Sequence, residues 1–259
     1  MALDGHRRDS DPVMIVCTFA MAAGAAFYWH THDDHQLAWA PRGVLTVVTE
    51  ESTWVLPPTR ALWIPAGLRH ETRADGPATM RSLYIRPDLC PIGWPGPTPV
   101  RADALMTELI GYLERDGLGA DRRARAEALL TDLLEPVPLA TIEVRMPTDE
   151  CARDVARELG DNPADKRTLD QWGRHVGASG RTLARAFAEG TGLPFGRWRT
   201  LLRLQAALPA LAAGQPVGNV ARHVGYESSS AFVAAFRHET GLTPAAYVQS
   251  PGGTPPAQT

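Results

Sequence analysis

The carboxyl-terminal part of the chain contains one pattern written twice, between residues 168 and 247. Arg174-His175-Val176-Gly177 returns 48 positions later as Arg222-His223-Val224-Gly225, and Thr191-Gly192-Leu193 returns 49 positions later as Thr240-Gly241-Leu242. Self-similarity at a fixed spacing is the signature of a duplicated supersecondary unit. The change from 48 to 49 places a length difference of one residue in the turn that follows each Val-Gly pair.

Each copy predicts two short helices joined by a tight turn. In the first copy, Leu169, Trp172 and Val176 recur at helical spacing, Gly177 ends the helix, and Ser179 is suited to cap the next one. The second copy repeats the arrangement with Val217, Val220, Ala221, Val224, Gly225 and Ser228. Such a unit has the helix-turn-helix design, whose second helix fits a DNA major groove.

The second helix of each copy separates apolar from polar residues. Leu183 and Phe187 share one face of the predicted helix, and Arg181 and Arg185 share nearly the opposite face. We therefore predict core positions for the paired apolar residues of both copies and for two tryptophans: Leu183, Phe187, Phe232, Phe236, Trp172 and Trp198.

At these residues the chain resembles the AraC/XylS family of bacterial transcription regulators, over about residues 150–250. The matching positions are Ser179-x-Arg181-x-Leu183-x-Arg185-x-Phe187, then Thr191-Gly192-Leu193-Pro194-Phe195, then Val224-Gly225-Tyr226-Glu227-Ser228 with Phe232 and Phe236, and finally Gly241-Leu242-Thr243-Pro244 with Tyr247. Agreement in two ordered copies is more specific than a single helix-turn-helix pattern. The resemblance implies an activator or repressor of transcription that binds double-stranded DNA at specific sequences.

The polar faces and the resemblance together nominate the residues that contact DNA. They are Ser179, Arg181, Thr182, Arg185, Ser228, Ser229, Ser230 and Arg237. An arginine that bonds both O6 and N7 of guanine contributes about 1–3 kcal/mol of discrimination. Ala234 stands in the second copy where Arg185 stands in the first, which departs from the arginine frequent in the family. We therefore predict that the second unit reads fewer bases and mainly positions the protein, with Arg237 on a phosphate.

The distribution of charge agrees with DNA binding by this half of the chain. The net charge is −3, but residues 166–238 carry 10 basic and 3 acidic side chains, whereas residues 1–165 carry 16 basic and 25 acidic ones. A basic block at the helix-turn-helix pair is the expected footprint of phosphate binding. The acidic front half argues against a chain that coats nucleic acid throughout, and the repeat lacks the exposed stacking aromatics of an RNA binder.

Length and composition favour two domains with sizeable cores, because the 259 residues are 44% hydrophobic. There is no run of 18 apolar residues, so we expect no transmembrane helix and no membrane partner. Residues 1–30 also lack the layout of a signal peptide. Cys17, Cys90 and Cys151 are odd in number and far apart, which indicates reduced thiols and a cytoplasmic location.

The front half predicts many short strands separated by proline and glycine turns. The segments rich in Val, Ile, Thr and aromatic residues are 13–19, 36–40, 44–49, 53–56, 60–64 and 79–85. Their regular spacing indicates an antiparallel barrel or sandwich. Two amphipathic helices are expected near 101–116 and 122–134, and their apolar stripes suit packing either on the barrel or on a second copy in a homodimer.

Histidines are concentrated at two places in the strand region. His30-x-His32-x-x-His35-Gln36 and Pro65-x-x-x-x-His70 resemble the two histidine motifs of the cupin family, a small β-barrel, and the fusion resembles AraC-type regulators with an N-terminal cupin sensor. On a strand, His30 and His32 face the same side, where His70 can meet them. Three imidazoles suit zinc, iron, nickel or copper. Gln36 stands near the place of the acidic ligand of the first cupin motif, which argues against redox catalysis.

Three interpretations of the histidines His30, His32, His35 and His70 remain open. They form a site for a divalent transition metal, a small-molecule effector pocket lined also by Trp39 and Trp63, or a purely structural cluster. We predict a regulator without catalytic residues, and the alternative function is a metal-dependent cupin enzyme fused to a DNA-binding module.

The predicted fold class is α+β with two domains: an N-terminal cupin-like antiparallel β-barrel plus helices, and a C-terminal all-α domain with two helix-turn-helix units. The predicted boundaries are a disordered tail at 1–12, the barrel sensor at 13–90, a linker and helical pair at 91–147, the DNA-binding domain at 148–250 and a disordered tail at 251–259. A helix at 195–213 links the two units, with Pro209 expected to kink it. About 18 helical residues span about 27 Å, close to the roughly 34 Å between successive major-groove turns.

Overall fold

The protein is described by a computed structural model that covers residues 13–137 and 142–248. These residues form two compact units, one of 13–45 with 56–137 and one of 46–55 with 142–248. The predicted tails at 1–12 and 251–259 lie outside the described residues, as does the middle of the predicted linker at 136–147.

Nine strands precede the first helix within the described part of the front half. They are β1 (Met14–Met21), β2 (Ala26–His30), β3 (His35–Arg42), β4 (Leu45–Thr49), β5 (Ser52–Leu56), β6 (Arg60–Ile64), β7 (His70–Ala74), β8 (Ala78–Ile85) and β9 (Thr98–Arg101). An antiparallel sheet has the order β1-β8-β3-β6-β9, and β2 pairs antiparallel with β7. The six predicted strands are confirmed to within two residues at each end, and the antiparallel β architecture is confirmed with them.

Three of these strands were not predicted from the sequence. β7 carries charged residues and a single β-branched side chain, so its composition does not mark a strand, whereas β2 was missed although its three consecutive aromatic residues favour one. β9 lies inside the segment predicted as a linker and places Pro99 at the edge of the sheet, where the missing amide hydrogen costs no ladder bond. The first sheet therefore extends past residue 90, the predicted end of the barrel.

The core of the first unit lies between one face of the first sheet and two helices, α1 (Ala104–Leu113) and α2 (Ala120–Leu133). Alternate residues of β3 supply part of that face, including Leu37 and Trp39. The helices bury Met106, Ile110, Leu113, Ala126 and Leu130 against it. Their apolar stripes thus pack on the sheet of their own chain, while Leu105 and Leu129 stay exposed.

The second unit contains seven helices among its described residues. They are α3 (Glu150–Asp161), α4 (Leu169–Val176), α5 (Gly180–Thr191), α6 (Phe195–Ala212), α7 (Val217–His223), α8 (Ser229–Thr240) and α9 (Pro244–Val248). The linking helix is confirmed as α6, which continues through Pro209 to Ala212. The predicted core positions are also confirmed, because Trp172, Leu183, Phe187, Trp198, Phe232 and Phe236 are completely buried.

The second unit includes a hairpin that the sequence assigned to the barrel. A short strand, β10 (Glu143–Arg145), pairs antiparallel with β5. On α6 the buried Gln205 donates to the backbone oxygens of Thr53, at 2.7 Å, and Ile142, at 3.2 Å. Residues 46–55 therefore group with the helices, and the predicted domain boundaries differ from the observed units here. Pairing between segments so distant in sequence has no local signal.

Candidate nucleic-acid interface and histidine site

The duplicated pattern folds into two copies of the same local structure, α4–α5 and α7–α8. Gly192 and Gly241 end the second helices in the left-handed conformation, with φ of 74° and 73°. Just before them, the hydroxyls of Thr191 and Thr240 donate to the carbonyl oxygens four residues earlier, both at 2.7 Å. The predicted length difference is found after Gly177 and Gly225, where one more residue precedes the cap of α8 than that of α5. The two predicted helix-turn-helix units are confirmed.

In the first helix-turn-helix unit, helices α4 and α5 approach each other closely. A methyl group added to Gly173 would lie 2.5 Å from the carbonyl oxygen of Ala178, so the turn requires glycine there. The Ser179 side chain caps α5 by accepting from the Thr182 amide at 3.0 Å, and the two hydroxyls lie 2.7 Å apart. Ser179 thus has a capping role whether or not it also meets DNA.

The outward face of α5 presents two arginines. Arg181 and Arg185 are exposed, as is Thr182 at the start of the helix. The Arg185 guanidinium lies 3.9 Å from Glu189, and both side chains are more than 70% exposed, so this ion pair contributes little and leaves the arginine available. The first helix-turn-helix unit therefore offers long cationic hydrogen-bond donors, which suit contacts to bases and phosphates.

The outward face of α8 is different in chemistry. Ser228 caps the helix by accepting from the Ala231 amide at 3.2 Å. The exposed positions that follow carry small side chains, with longer polar groups only toward the end of the helix: Ser229, Ser230, Ala231, Ala234, Arg237 and His238. Sequence reasoning did not select His238, which lies beside Arg237 and adds a further polar group at that end of the helix. The second helix-turn-helix unit therefore offers fewer long hydrogen-bond donors for base edges than the first helix-turn-helix unit does.

Two arginine side chains of α6 connect this linking helix to other segments of the helical domain. The Arg203 guanidinium donates to the carbonyl oxygens of Pro163 and Asp165, at 2.8 and 2.9 Å, and stacks near the ring of Tyr226. Arg197 pairs with the buried Glu239 carboxylate of α8 at 3.1 Å. Arg197 thereby ties α8 to α6, and Arg203 ties α6 to the segment between α3 and α4.

The second candidate site brings together His30, His32 and His70. His30 and His70 are directly paired residues of β2 and β7, so their rings lie on the same face, with centroids 4.4 Å apart. One ring nitrogen from each of the three lies within 4.8 Å of those of the others. His70 is completely buried, and burial lowers its pKa to about 4, so its ring is neutral near pH 7.

Two details of the predicted arrangement are wrong. His32 follows the end of β2 and lies in a loop, which a hydrogen bond from the Gly67 amide to the His32 carbonyl holds at 2.9 Å. His35 does not join the cluster, because it precedes Gln36 on β3 and strand residues alternate in direction. Its Nδ1 accepts from the Ala66 amide at 3.0 Å, so His35 supports the turn that precedes His70.

The tryptophans predicted as possible pocket lining belong elsewhere. Trp39 and Trp63 are at most 1% exposed and lie in the core between the first sheet and the two helices. The indole of Trp39 donates to the Pro58 carbonyl at 2.7 Å. They are therefore packing residues of the core and do not line a pocket at the histidine site.

The histidine cluster continues into a buried polar chain. Gln36 is 2% exposed, and its amide oxygen lies 3.1 Å from Nε2 of His32 and 3.0 Å from Nε2 of His70. The other end of that amide lies 2.7 Å from the Ser82 hydroxyl. Tyr84, whose pKa burial raises, packs 5.4 Å from the His32 ring. Ser82 and Tyr84 were missed. Tyr84 is the β8 residue paired with Gln36, and Ser82 lies two residues before it on the same face of the strand, so the alternation along β8 could have linked them.

Taken together, the fold and the two sites define a DNA-binding regulator with a front domain suited to hold a small ligand. Residues 12–134 match the AraC-like ligand binding domain family, and residues 172–250 match a helix-turn-helix domain family. The HTH-type transcriptional regulator NimR of Escherichia coli K12 is 31% identical over 227 residues, covering 85% of this chain and 81% of that protein. The chain belongs to the AraC/XylS family of transcription regulators.

Two further proteins are similar over a smaller part of the chain or at a lower sequence identity. The HTH-type transcriptional regulator RipA of Corynebacterium glutamicum is 37% identical over 119 residues, which cover 46% of this chain and 34% of that protein. The crystal structure of ToxT from Vibrio cholerae O395 covers 91% of this chain and 97% of its own, with 10% identity and a TM-score of 0.39. Within residues 13–137 and 142–248, no helix is long and apolar enough to cross a membrane.

Proposed function

We propose that this chain binds operator DNA through the outward faces of α5 and α8, and that a ligand held at the histidine site controls that binding. The observation that carries the proposal is the duplicated unit. In both copies a serine caps the second helix, an equivalent pair of apolar residues is buried, and a polar face of that helix is exposed. The DNA contacts we propose are those named from the sequence: Ser179, Arg181, Thr182, Arg185, Ser228, Ser229, Ser230 and Arg237.

The exposed side chains support a division of labour between the two units. Arg181 and Arg185 supply bidentate donors for guanine, so α5 reads bases. The short side chains Ser229 and Ser230 with Ala234 leave α8 mainly to fix the register of the protein, and Arg237 adds a phosphate contact.

A ligand in the front domain acts on DNA binding only if it binds the two functional states with different affinity. The free energy that couples two such sites is typically about 1–3 kcal/mol, or about 5–150-fold in DNA affinity. We propose a regulator that does not turn its ligand over, because the neutral amide Gln36 stands near the place of the acidic ligand of the first cupin motif.

Selection from a randomised pool of duplex DNA with the full chain tests the operator proposal. We expect an enriched motif with two sub-sites about one helical turn apart, roughly 10 base pairs. Alanine at both Arg181 and Arg185 should erase the better-defined sub-site and leave the fold intact, as judged by circular dichroism. Salt-sensitive binding with no enriched motif in the unaltered chain would reject sequence-specific recognition.

A further inference from the structure

The loop between α3 and α4, residues 162–167, is fastened to both of these helices. The Arg167 guanidinium lies 3.4 Å from the centre of the Trp172 ring on α4, and it donates to the Glu158 carboxylate on α3 at 3.2 Å. Within the loop, the Asp165 carboxylate accepts from the Arg167 amide at 2.7 Å and from Nε of the same residue at 2.9 Å. The loop therefore has a defined position relative to the first helix-turn-helix unit.

Helix α6 holds the backbone of this loop through two arginines. Arg203 donates from Nε to the carbonyl oxygen of Pro163 at 2.8 Å and from Nη2 to that of Asp165 at 2.9 Å. Arg199, one turn earlier on the helix, donates to the Arg167 carbonyl oxygen at 3.1 Å. A guanidinium suits this contact because its donors form a rigid planar fork, so one side chain can bond two carbonyl oxygens at once.

The turn of the second helix-turn-helix unit packs against the same loop. A methyl group added to Gly225 would lie 2.8 Å from the Cα atom of Ala164 and 3.0 Å from Nη2 of Arg203. The ring of the next residue, Tyr226, has its centre 6.0 Å from that guanidinium. The equivalent glycine of the first unit, Gly177, has nothing within 4 Å of such a methyl group. This close contact therefore belongs to the second turn and is not a general feature of the motif.

The other contacts between α6 and the second unit are less directional. Pro209 removes one hydrogen bond from the last turns of α6, and residues 213–216 then form a short turn before α7. The Arg197–Glu239 ion pair is weakened by water, because the arginine side chain is 56% exposed. Apolar packing joins α6 to α7, α8 and α9, and such packing has no preferred direction. The bonds from Arg203 to the loop thus add a directional contact beside the second turn.

We propose that the 162–167 loop fixes the separation of α5 and α8, and thereby the spacing of the two operator sub-sites, with Arg203 as the positioning residue. This inference rests on the proposed function, because it concerns how the same two helices share one duplex. One base pair added between the sub-sites moves the second by about 3.4 Å along the duplex and rotates it by about 35°. Two helices held in place cannot follow that displacement, so one sub-site is left unbound.

The separation of the two helices is measurable without DNA as the distance between two nitroxide spin labels. Glu189→Cys on α5 and His238→Cys on α8 place the labels at exposed, equivalent positions of the repeat, in a full-length chain whose three native cysteines are changed to serine. We expect one narrow distance distribution. Arg203→Met keeps the apolar stem of the side chain and removes its donors, so it should broaden the distribution. Arg157→Met is the matched control and should leave it narrow, because this exposed arginine pairs with Asp154 on its own helix.

Duplexes with one base pair inserted or removed between the selected sub-sites measure the effect on recognition. The unaltered chain should bind them at least about 10-fold more weakly than the selected duplex, because joint binding is lost when the geometry forbids it. Most of that ratio should disappear in Arg203→Met, whereas Arg157→Met should retain it. The preferred bases within each sub-site should stay the same. A general loss of stability lowers the affinity for all duplexes alike, so the ratio reports positioning alone.

The outcomes separate this inference from the proposed function. Equal widths of the distance distribution in the unaltered and Arg203→Met chains would overturn the role of Arg203, whether or not a DNA motif is enriched. A broader distribution without an enriched motif supports that role and rejects the operator proposal. An enriched motif whose spacing ratio survives Arg203→Met rejects control of the spacing. If circular dichroism shows that Arg203→Met does not fold, Arg199→Met, which removes one bond to the loop, replaces it in both measurements.

Discussion

The indole of Trp198 on α6 donates its hydrogen to the backbone carbonyl of Arg145 at 2.7 Å. Trp198 is completely buried, and Val144 next to Arg145 lies in the same cluster as Leu183 and Phe187 of the first helix-turn-helix unit. Residues 142–147 therefore belong to the DNA-binding unit, although their proline-bounded sequence predicted a linker.

Fragments that begin on either side of this segment should differ in stability. A fragment of residues 148–259 lacks the Arg145 carbonyl and leaves the Trp198 hydrogen unpaired, which costs about 1–3 kcal/mol. It also exposes the apolar surface that Val144 covers. A fragment of 142–259 keeps both contacts and should unfold at a higher urea concentration with a well-defined single transition. Coincident transitions for the two fragments would show that the segment contributes no stability.

The turn of the second helix-turn-helix unit should tolerate no side chain at Gly225. This residue has φ of 88°, and a methyl group there would lie 2.8 Å from the Cα atom of Ala164. Gly225→Ala should therefore lower the free energy of unfolding by about 1–3 kcal/mol. Gly218→Ala is the matched control, because it lies in α7 with nothing within 4 Å of the added methyl. That control should gain about 0.5–1 kcal/mol from better helix propensity. Equal denaturation midpoints for the two variants would contradict the crowding at Gly225.

Buried Glu127 on α2 should make the stability of the compact front unit, residues 13–45 with 56–137, depend on pH. Its carboxylate accepts from the Met14 amide at 3.3 Å and lies 3.6 Å from Arg123, yet burial outweighs these partners and raises its pKa. The folded state then holds the proton more strongly than the unfolded chain does. The resulting stability is fully present below the unfolded pKa of about 4.3 and is lost as pH rises through the higher folded value.

Glu127→Gln removes that titration, so its stability relative to the unaltered chain should increase as pH rises from about 4 to 7. Urea denaturation of both chains at several pH values measures the difference, in which other titrating groups cancel. Asp132→Asn, an exposed carboxylate on the same helix, serves as the control for loss of one charge. A difference that stays constant with pH would mean that Glu127 is not held in an unfavourable environment.

The repeat could be predicted from the sequence because its signals are local. Gly177, Ser179 and the pair Leu183 and Phe187 lie within a few turns of one another, and each choice of residue follows from the backbone it must form. The histidine site was only partly predictable. Sequence spacing identified His30 and His70, but the strand register that pairs them and the alternation that turns His35 away depend on contacts between distant segments.

The same distinction applies to Gln36, which stands in the sequence near the place of the acidic ligand of the first cupin motif. Its role follows from distances to His32, His70 and Ser82, segments up to 46 residues away. No periodic pattern encodes such a network, since each member is an ordinary polar residue on its own strand. The grouping of residues 46–55 with the helices escaped prediction for the same reason.

Helices α5 and α8 should respond differently to loss of their polar side chains. Arg185→Ala and Arg181→Ala on α5 should each cost about 1–3 kcal/mol at the preferred base and relax the sequence preference there. Arg237→Ala on α8 should weaken binding to all duplexes alike and reduce the slope of log affinity against log salt by about 1. Fluorescence anisotropy with the selected duplex and single-base variants, at several salt concentrations, measures both effects. A greater loss of specificity from Ser229→Ala and Ser230→Ala than from the arginine variants would assign base reading to α8, because only a residue that touches a base edge changes the ratio between duplexes.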